Sequence, residues 1–388
     1  MDFKNYLVPG KTGLLIGIGG VSMSPLAEVL HDAGLDIRGS DMAESSNTLT
    51  LRERGIPIHI GHSADNVTDD ISFVIRTAAV HDDNPEVHEA HRRGIPVFER
   101  TQAWGALMRG YQNALCISGT HGKTTTTSMC THIMMAAEKD PTVMIGGTLP
   151  LLKACHRVGK GNTIIMESCE YYNSFLALNP TIAVVLNIEA DHLDFFKDLE
   201  DIKHSFRCFA ERVPAETGTV IANYDDANTM DALRGIARKV ITFGLNAKAD
   251  VYAQNIVHRG SVSEFDIYHR GNYFARVTLH VPGIHNVRNA LAATAAAIVL
   301  GVSPNAVKYG LAGFEGAGRR FDFKGKFQGA DLYDDYAHHP SELRALLDAV
   351  DTLNYQRTIV VFQPHTYSRT AKLFNDFVEQ LRRPTIVY

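Results

Sequence analysis

The chain lacks paired cysteines. Its five cysteines, at positions 116, 130, 155, 169 and 208 of 388 residues, form no Cys-x-x-Cys pair. An odd, scattered set argues against a disulfide framework or a cysteine zinc site and fits a reducing compartment. No apolar run approaches the roughly 20 residues that a membrane helix needs. The opening Met1-Asp2-Phe3-Lys4-Asn5-Tyr6 lacks the basic stretch and apolar core of a signal peptide. Positive charge is not in excess: 38 Lys and Arg stand against 43 Asp and Glu, a net charge of −5. Nucleic acid and membrane are therefore not expected as partners. Repeats and low-complexity tracts are absent too. The expected location is the cytoplasm, and the expected state a monomer or weak homodimer. With 45% hydrophobic and 21% charged residues, the chain reads as a globular protein long enough for two or three domains.

Strand-like apolar runs alternate with helix-like segments nearly throughout, which predicts an α/β fold with largely parallel sheets. A buried first strand is expected over 14–18, a helix over 25–33, and strands over 37–41, 72–76 and 95–98. Residues 104–113 read as a connector. A second unit begins with a strand over 114–117 and a helix over 123–137, followed by strands over 163–166, 181–187 and 219–222. Alternation over 251–281 predicts an antiparallel ribbon, and the alanine-rich 286–300 a helix. After the Gly-rich 315–319 the pattern restarts. Strands are expected over 330–333, 358–362 and 385–388, and helices over 340–350 and 369–382. A doubly wound domain of ~75 residues is unusually small, so the chain is expected to be part of a longer one.

The run Gly119-Thr120-His121-Gly122-Lys123-Thr124-Thr125-Thr126 joins a predicted strand to a predicted helix. Glycines let a backbone approach phosphates, and a helix N-terminus aims N–H groups and a positive dipole at them. In such a loop Lys123 reaches the β- and γ-phosphates of ATP, and the Thr124 hydroxyl reaches Mg²⁺. Ile117 stands where the full Walker A pattern has its first glycine. The bland alternative is a threonine-rich helix start without a ligand.

Gly17-Ile18-Gly19-Gly20-Val21-Ser22-Met23-Ser24 also leads from a strand into a helix, which suits a diphosphate or simply a tight turn. Ser40 and Asp41, some 20 residues on, stand where a ribose or uridine contact is expected. Glu167 and Glu170 follow a strand and could serve Mg²⁺, though such carboxylates are often plain surface groups. Asn187-Ile188-Glu189-Ala190-Asp191-His192-Leu193-Asp194 places His192 among acids at another strand end. Asn286 and Asn289 open the alanine-rich helix, where asparagine is a good cap. Arg320 is a phosphate contact or a solvated linker charge. The stretches 334–342 and 362–370 are polar and His-bearing, each after a predicted strand.

Gly-Thr-x-Gly-Lys-Thr-Thr at 119–125 resembles the phosphate loop of the Mur ligases, ATP-dependent amide-bond-forming enzymes of peptidoglycan synthesis, and the resemblance extends along the whole chain. It is strongest to the member that joins L-alanine to UDP-N-acetylmuramate. The resemblance implies three domains: a Rossmann-like UDP-sugar domain over 1–110, a central P-loop ATPase domain with a mostly parallel sheet over 111–314, and a partial Rossmann-like acceptor domain over 315–388. It places UDP-N-acetylmuramate on Gly19, Gly20, Ser22, Met23, Ser24, Ser40 and Asp41. It assigns ATP to the phosphate loop with Asn286, Asn289, Arg320 and Asp334 or Asp335. Mg²⁺ falls to Thr124, Glu170 and His192, with Glu167 open as a further ligand. Lys123, Glu170 and His192 are the implied catalytic residues. Tyr336, His338, His365 and Arg369 are implied to line the sugar-acid and amino-acid site. The implied chemistry needs no nucleophilic side chain: ATP phosphorylates the lactyl carboxylate and the amine attacks the acyl phosphate. A relative that adds a recycled tripeptide, and a P-loop kinase or ATPase forming no amide, remain the alternatives. If the missing end of the third domain is required, this chain is expected to ligate poorly.

Overall fold

The computed structural model describes residues 2–77 and 79–388. The chain forms two compact units. The first comprises 1–112 with two short returns, 156–159 and 177–179, and the second the remainder.

In the first unit five parallel strands lie in the order Ile58–Ile60, Asp36–Asp41, Thr12–Ile16, Ile71–Arg76, Val97–Glu99. The central strand Thr12–Ile16 is buried at every position, as a strand covered on both faces must be. Helix Ser24–Asp32 follows the glycine-rich turn. The expected connector at 104–113 is instead largely a helix, Arg100–Met108, with Trp104 only 2% exposed. Its residues are apolar around most of the circumference, so no single stripe marks it as helical.

The second unit is built on a long sheet. From one edge, nine of its ten strands run in the order Asn272–Leu279, Val262–His269, Val251–Arg259, Lys239–Gly244, Thr219–Asn223, Ile182–Val185, Asn113–Ser118, Thr163–Glu167, Thr142–Leu149. Pairing is parallel from Val251–Arg259 through to Thr142–Leu149. The first three strands form the expected antiparallel ribbon, and Val262–His269 alternates buried and half-buried positions. Helices Lys123–Ala136 and Ile284–Val299 bury their apolar residues in the same core. Helix Pro304–Ala312 approaches Lys123–Ala136 so closely that a Cβ on Gly310 would lie 2.5 Å from Ile133 Cα.

Residues 315–388 group with this second unit by their contacts. They hold a hairpin, Asp322–Phe327 with Ala330–Asp334, a helix Pro340–Asp351, and a short parallel pair, Ile359–Val360 with Ile386–Val387. The single helix expected over 369–382 is two, Tyr367–Lys372 and Phe374–Leu381, interrupted at Leu373.

Candidate active site

Three parallel strands end at one edge of the long sheet. Ile117 lies opposite Glu167, and Ser118 opposite Val185. The segments that follow therefore leave the same edge: the phosphate loop, Ser168–Glu170 and Leu186–His192. Ligands of open α/β sheets bind beyond such carboxyl ends.

The phosphate loop is fixed by its neighbours. Gly119 and Gly122 have φ of +143° and +85°. A Cβ at Gly119 would sit 2.8 Å from Leu186 Cβ, and one at Gly122 would sit 2.7 Å from Asn289 Oδ1. Conformation and space both demand glycine here. Asn187 clamps the loop: its Oδ1 accepts from the His121 N–H at 2.8 Å and its Nδ2 donates to the His121 carbonyl at 3.0 Å. Asn289 donates to Asn286 at 3.3 Å, and Asn286 to the Pro282 carbonyl at 2.7 Å. Both asparagines are buried behind the loop.

Lys123 Nζ donates to the Gly119 carbonyl at 2.6 Å and to Glu170 Oε2 at 3.0 Å. Burial opposes its charge, but Glu170, with Cys169 and Glu167 behind it, outweighs this and raises the lysine pKa. Glu170, expected to hold metal, is 3% exposed and in contact with Lys123. The carboxylate beside the Thr124 hydroxyl is Glu167, which accepts from Thr124 Oγ1 at 3.0 Å and from the Gly146 N–H at 2.6 Å. His192 sits across from them with φ +52°. Its Nε2 lies 3.7 Å from Asp191 and 3.9 Å from Glu170. Burial lowers its pKa, only partly offset by those two acids, so the imidazole is neutral and can act as a ligand. Tyr171 stacks on the ring at 4.3 Å and donates to Asp194 at 2.6 Å.

Residues 315–388 approach the same edge. Arg369 forms a bidentate pair with Asp191 at 2.8 and 3.1 Å, both side chains 8% exposed. Its guanidinium is thus engaged with a carboxylate of the protein rather than presented to an acceptor. Arg320 lies 3.6 Å from Glu342, and Glu342 3.3 Å from His121 Nδ1. Tyr336 lies under Arg319 and Arg320, and His338 turns back onto the Tyr336 carbonyl at 2.8 Å. His365 is exposed on the loop, with only its carbonyl engaged by Arg369. Of the two aspartates considered, Asp334 pairs loosely with Arg319 at 3.8 Å, while Asp335 faces a cavity of about 600 Å³. Burial raises the pKa of Asp335, against the N–H groups of Phe321 and Ala337 that it accepts. Asn286, Asn289, Arg320 and Glu342 line that cavity with it. Glu189, Ser341 and Glu342 were not singled out in the sequence; their only signal was membership of polar stretches after strands.

In the first unit, the turn 17–24 is braced by Asp41, which accepts from the Gly19 N–H at 2.8 Å, and by Asn47, which donates to the Gly19 carbonyl at 2.8 Å. Ser22 is held by Arg100, and its carbonyl by Trp104 at 3.2 Å. Gly20 is exposed. Three expected contacts face inward instead. Ser40 is fully buried and donates to Glu86 at 2.7 Å. Met23 and Ser24 are 1% exposed, and both their N–H groups donate to the Gly20 carbonyl at 2.9 Å. The Ser40 hydroxyl and the N–H groups of Met23 and Ser24 are thus spent within the protein and shape the turn.

Comparisons with known proteins cover most of the chain. The Mur ligase family catalytic domain matches residues 15–112, the Mur ligase middle domain 117–297, and the Mur ligase glutamate ligase domain 319–388. The UDP-N-acetylmuramate–L-alanine ligase of Agathobacter rectalis is 46% identical over 373 residues, 96% of this chain and 81% of that protein. That of Clostridium novyi is also 46% identical, over 97% of this chain and 82% of its own length. The solved UDP-N-acetylmuramate–alanine ligase of Thermotoga maritima superposes with a TM-score of 0.79 at 31% identity, covering 97% of this chain and 84% of that one. A Neisseria meningitides UDP-N-acetylmuramate:L-alanyl-gamma-D-glutamyl-meso-diaminopimelate ligase gives 0.71 at 26% identity, over 79% of this chain and 99% of its own.

Proposed function

The chain belongs to the Mur ligase family, and from that premise we infer that it is an ATP-dependent ligase joining L-alanine to the lactyl carboxylate of UDP-N-acetylmuramate. The observation that carries this is the 46% identity over 96% of the chain to an enzyme of that activity. The phosphate loop with Lys123, Thr124, Glu167 and His192 at one sheet edge supports it.

The reaction proceeds in two transfers. A carboxylate oxygen of the substrate attacks the γ-phosphorus of ATP, the bond to the β-phosphate oxygen breaks, and ADP leaves. The alanine amine then attacks the acyl carbon, loses a proton, and expels phosphate. Nothing here calls for a nucleophilic side chain; the protein positions the reactants and neutralises charge. The loop N–H groups and Lys123 receive the phosphates. For Mg²⁺, the hard oxygens of Thr124 and Glu167 fit as ligands, with neutral His192 on the far side. Bound there, the cation would offset phosphate charge. Because Glu170 is engaged with Lys123, we assign it the role of holding the lysine rather than the metal. Asn286, Asn289, Arg320 and Asp335 are proposed for the nucleotide, and Gly19, Gly20, Ser22 and Asp41 for the sugar nucleotide. Tyr336, His338 and His365 are proposed for the acceptor region, with Arg369 supporting it through its pair with Asp191.

We further propose domains over 1–110, 111–314 and 315–388, a cytoplasmic location and a monomer or weak homodimer. Among the described residues no helix is long and apolar enough to cross a membrane. The deciding experiment is phosphate release from ATP with UDP-N-acetylmuramate and single amino acids. Release is expected only with the sugar nucleotide and L-alanine together. Release with a tripeptide but not L-alanine would assign the recycling reaction, and turnover indifferent to the sugar nucleotide would leave a plain ATPase.

A further inference from the structure

His121 of the phosphate loop, Glu189 of the following rim and His339 at the start of helix Pro340–Asp351 converge. Each offers one ligand atom, and these atoms lie within 4.8 Å of one another, the only such trio among the described residues. His121 Nε2 is 3.4 Å from Glu189 Oε2, and His339 Nδ1 is 3.9 Å from the same oxygen. The two rings are 4.9 Å apart. His121 Nε2 is buried and makes no hydrogen bond. His339, with a side chain 7% exposed, accepts from the Ser341 N–H at its Nδ1, which leaves its Nε2 buried and without a hydrogen bond. A buried corner that holds two unpartnered imidazole nitrogens and a carboxylate is unfavourable unless a cation binds there.

Two carboxylates, Glu189 at 3.4 Å and Glu342 at 3.3 Å, face the His121 ring and make this corner negative. Such surroundings would favour a divalent cation. Zinc accepts nitrogen and carboxylate ligands at about 2.0–2.2 Å in tetrahedral array, which sets ligands about 3.4 Å apart. The 3.4 Å separation of His121 Nε2 from Glu189 already matches that spacing, and the trio as a whole, within 4.8 Å, needs a contraction to close on an ion. Outer partners are in place as well. Glu342 lies 3.3 Å from His121 Nδ1, and the Ser341 hydroxyl donates to Glu189. Such groups fix ring orientation in metal sites. Mg²⁺ prefers all-oxygen surroundings, so the donor set selects a different ion from the one proposed at Thr124.

We propose that His121, Glu189 and His339 form a binding site for a zinc-class divalent cation, with a water as fourth ligand, that ties the phosphate loop to the start of helix Pro340–Asp351.

The test is a zinc chloride titration of the full chain, freed of metal and nucleotide, followed by isothermal calorimetry. One equivalent of zinc is expected, with affinity falling about 10-fold or more in His339→Gln and in Glu189→Gln. Cys208→Ser serves as the control. It removes the exposed His204–Cys208 pair, 3.5 Å apart, which is a competing zinc ligand set elsewhere. Unchanged binding in that control supports the proposal. No binding in the parent chain, loss of zinc only in Cys208→Ser, or full affinity in a folded Glu189→Gln would overturn it. Should His339→Gln fail to fold by circular dichroism, Glu189→Gln decides.

Discussion

Glu167 and Glu170 stand three residues apart and carry different duties. Glu167 touches the Thr124 hydroxyl; Glu170 touches Lys123. Glu167→Gln is therefore expected to lower kcat by about 10²-fold and to raise the Mg²⁺ concentration needed for half-maximal rate. Glu170→Gln should leave that Mg²⁺ requirement in place while altering the KM for ATP. Mg²⁺ titrations of phosphate release separate the two, and equal shifts in both variants would sink the assignment. Sequence could find the loop because its residues are contiguous and each has a duty fixed by position. It could not rank the two glutamates, because which carboxylate faces the hydroxyl depends on the turn after the strand. Histidines make a second prediction at this scale. Burial depresses His132 to about 4, and burial, with Arg288 adding, does the same to His285. A depressed folded-state pKa means the unfolded chain takes up the proton first as pH falls. Stability is then constant above about 6.5 and declines as pH drops toward 4, by about 1.4 kcal/mol per pH unit for each group. Urea unfolding at pH 7 and 5 should show this loss, and His132→Phe should reduce it.

At the scale of elements, strand Thr142–Leu149 backs the corner proposed for Mg²⁺. Gly146 donates to Glu167, and a Cβ there would lie 2.6 Å from the Glu167 carboxylate. Gly146→Ala should displace Glu167 from Thr124. The expected outcome is a fall in kcat comparable to that of Glu167→Gln, with a melting temperature within a few degrees of the parent. An unchanged kcat would show that Glu167 has room to move. Most strands of the parallel sheets were legible, since their apolar runs are short, bounded by turn residues and buried on both faces. Helix Arg100–Met108 was not, because Gly105 and an apolar circumference hide its period. Gly105 is required there by packing: a Cβ would lie 2.0 Å from the Ala177 carbonyl oxygen. Hairpin 322–334 was half legible. Its second strand was expected, while its antiparallel partner carries too many charged residues to read as a strand.

For the second unit as a whole, residues 315–388 are joined to the sheet edge by contacts of unequal burial. The Arg369–Asp191 pair is enclosed, while Lys372 donates to the Leu193 carbonyl at 2.8 Å on the exposed side. Arg369→Met leaves Asp191 without its partner, at a cost of about 3 kcal/mol. Hydrogen exchange should then quicken over 315–388 and around Asp191 while the core strands stay protected; uniform protection would contradict this. No spacing in the sequence connects positions 191 and 369, so this pairing was legible only as two polar stretches after strands.

Strand Asn113–Ser118, from which the phosphate loop springs, lies between two strands that come after it in the chain. Its partners in the ladder are 50 and 67 residues downstream. Pairings of such separation close slowly, because chain entropy is lost before any contact compensates. During synthesis the loop leaves the ribosome well before either neighbour exists to hold it. The loop thus gains its support only once residues 163–185 have followed it, and until then an apolar strand edge is open to association with other chains.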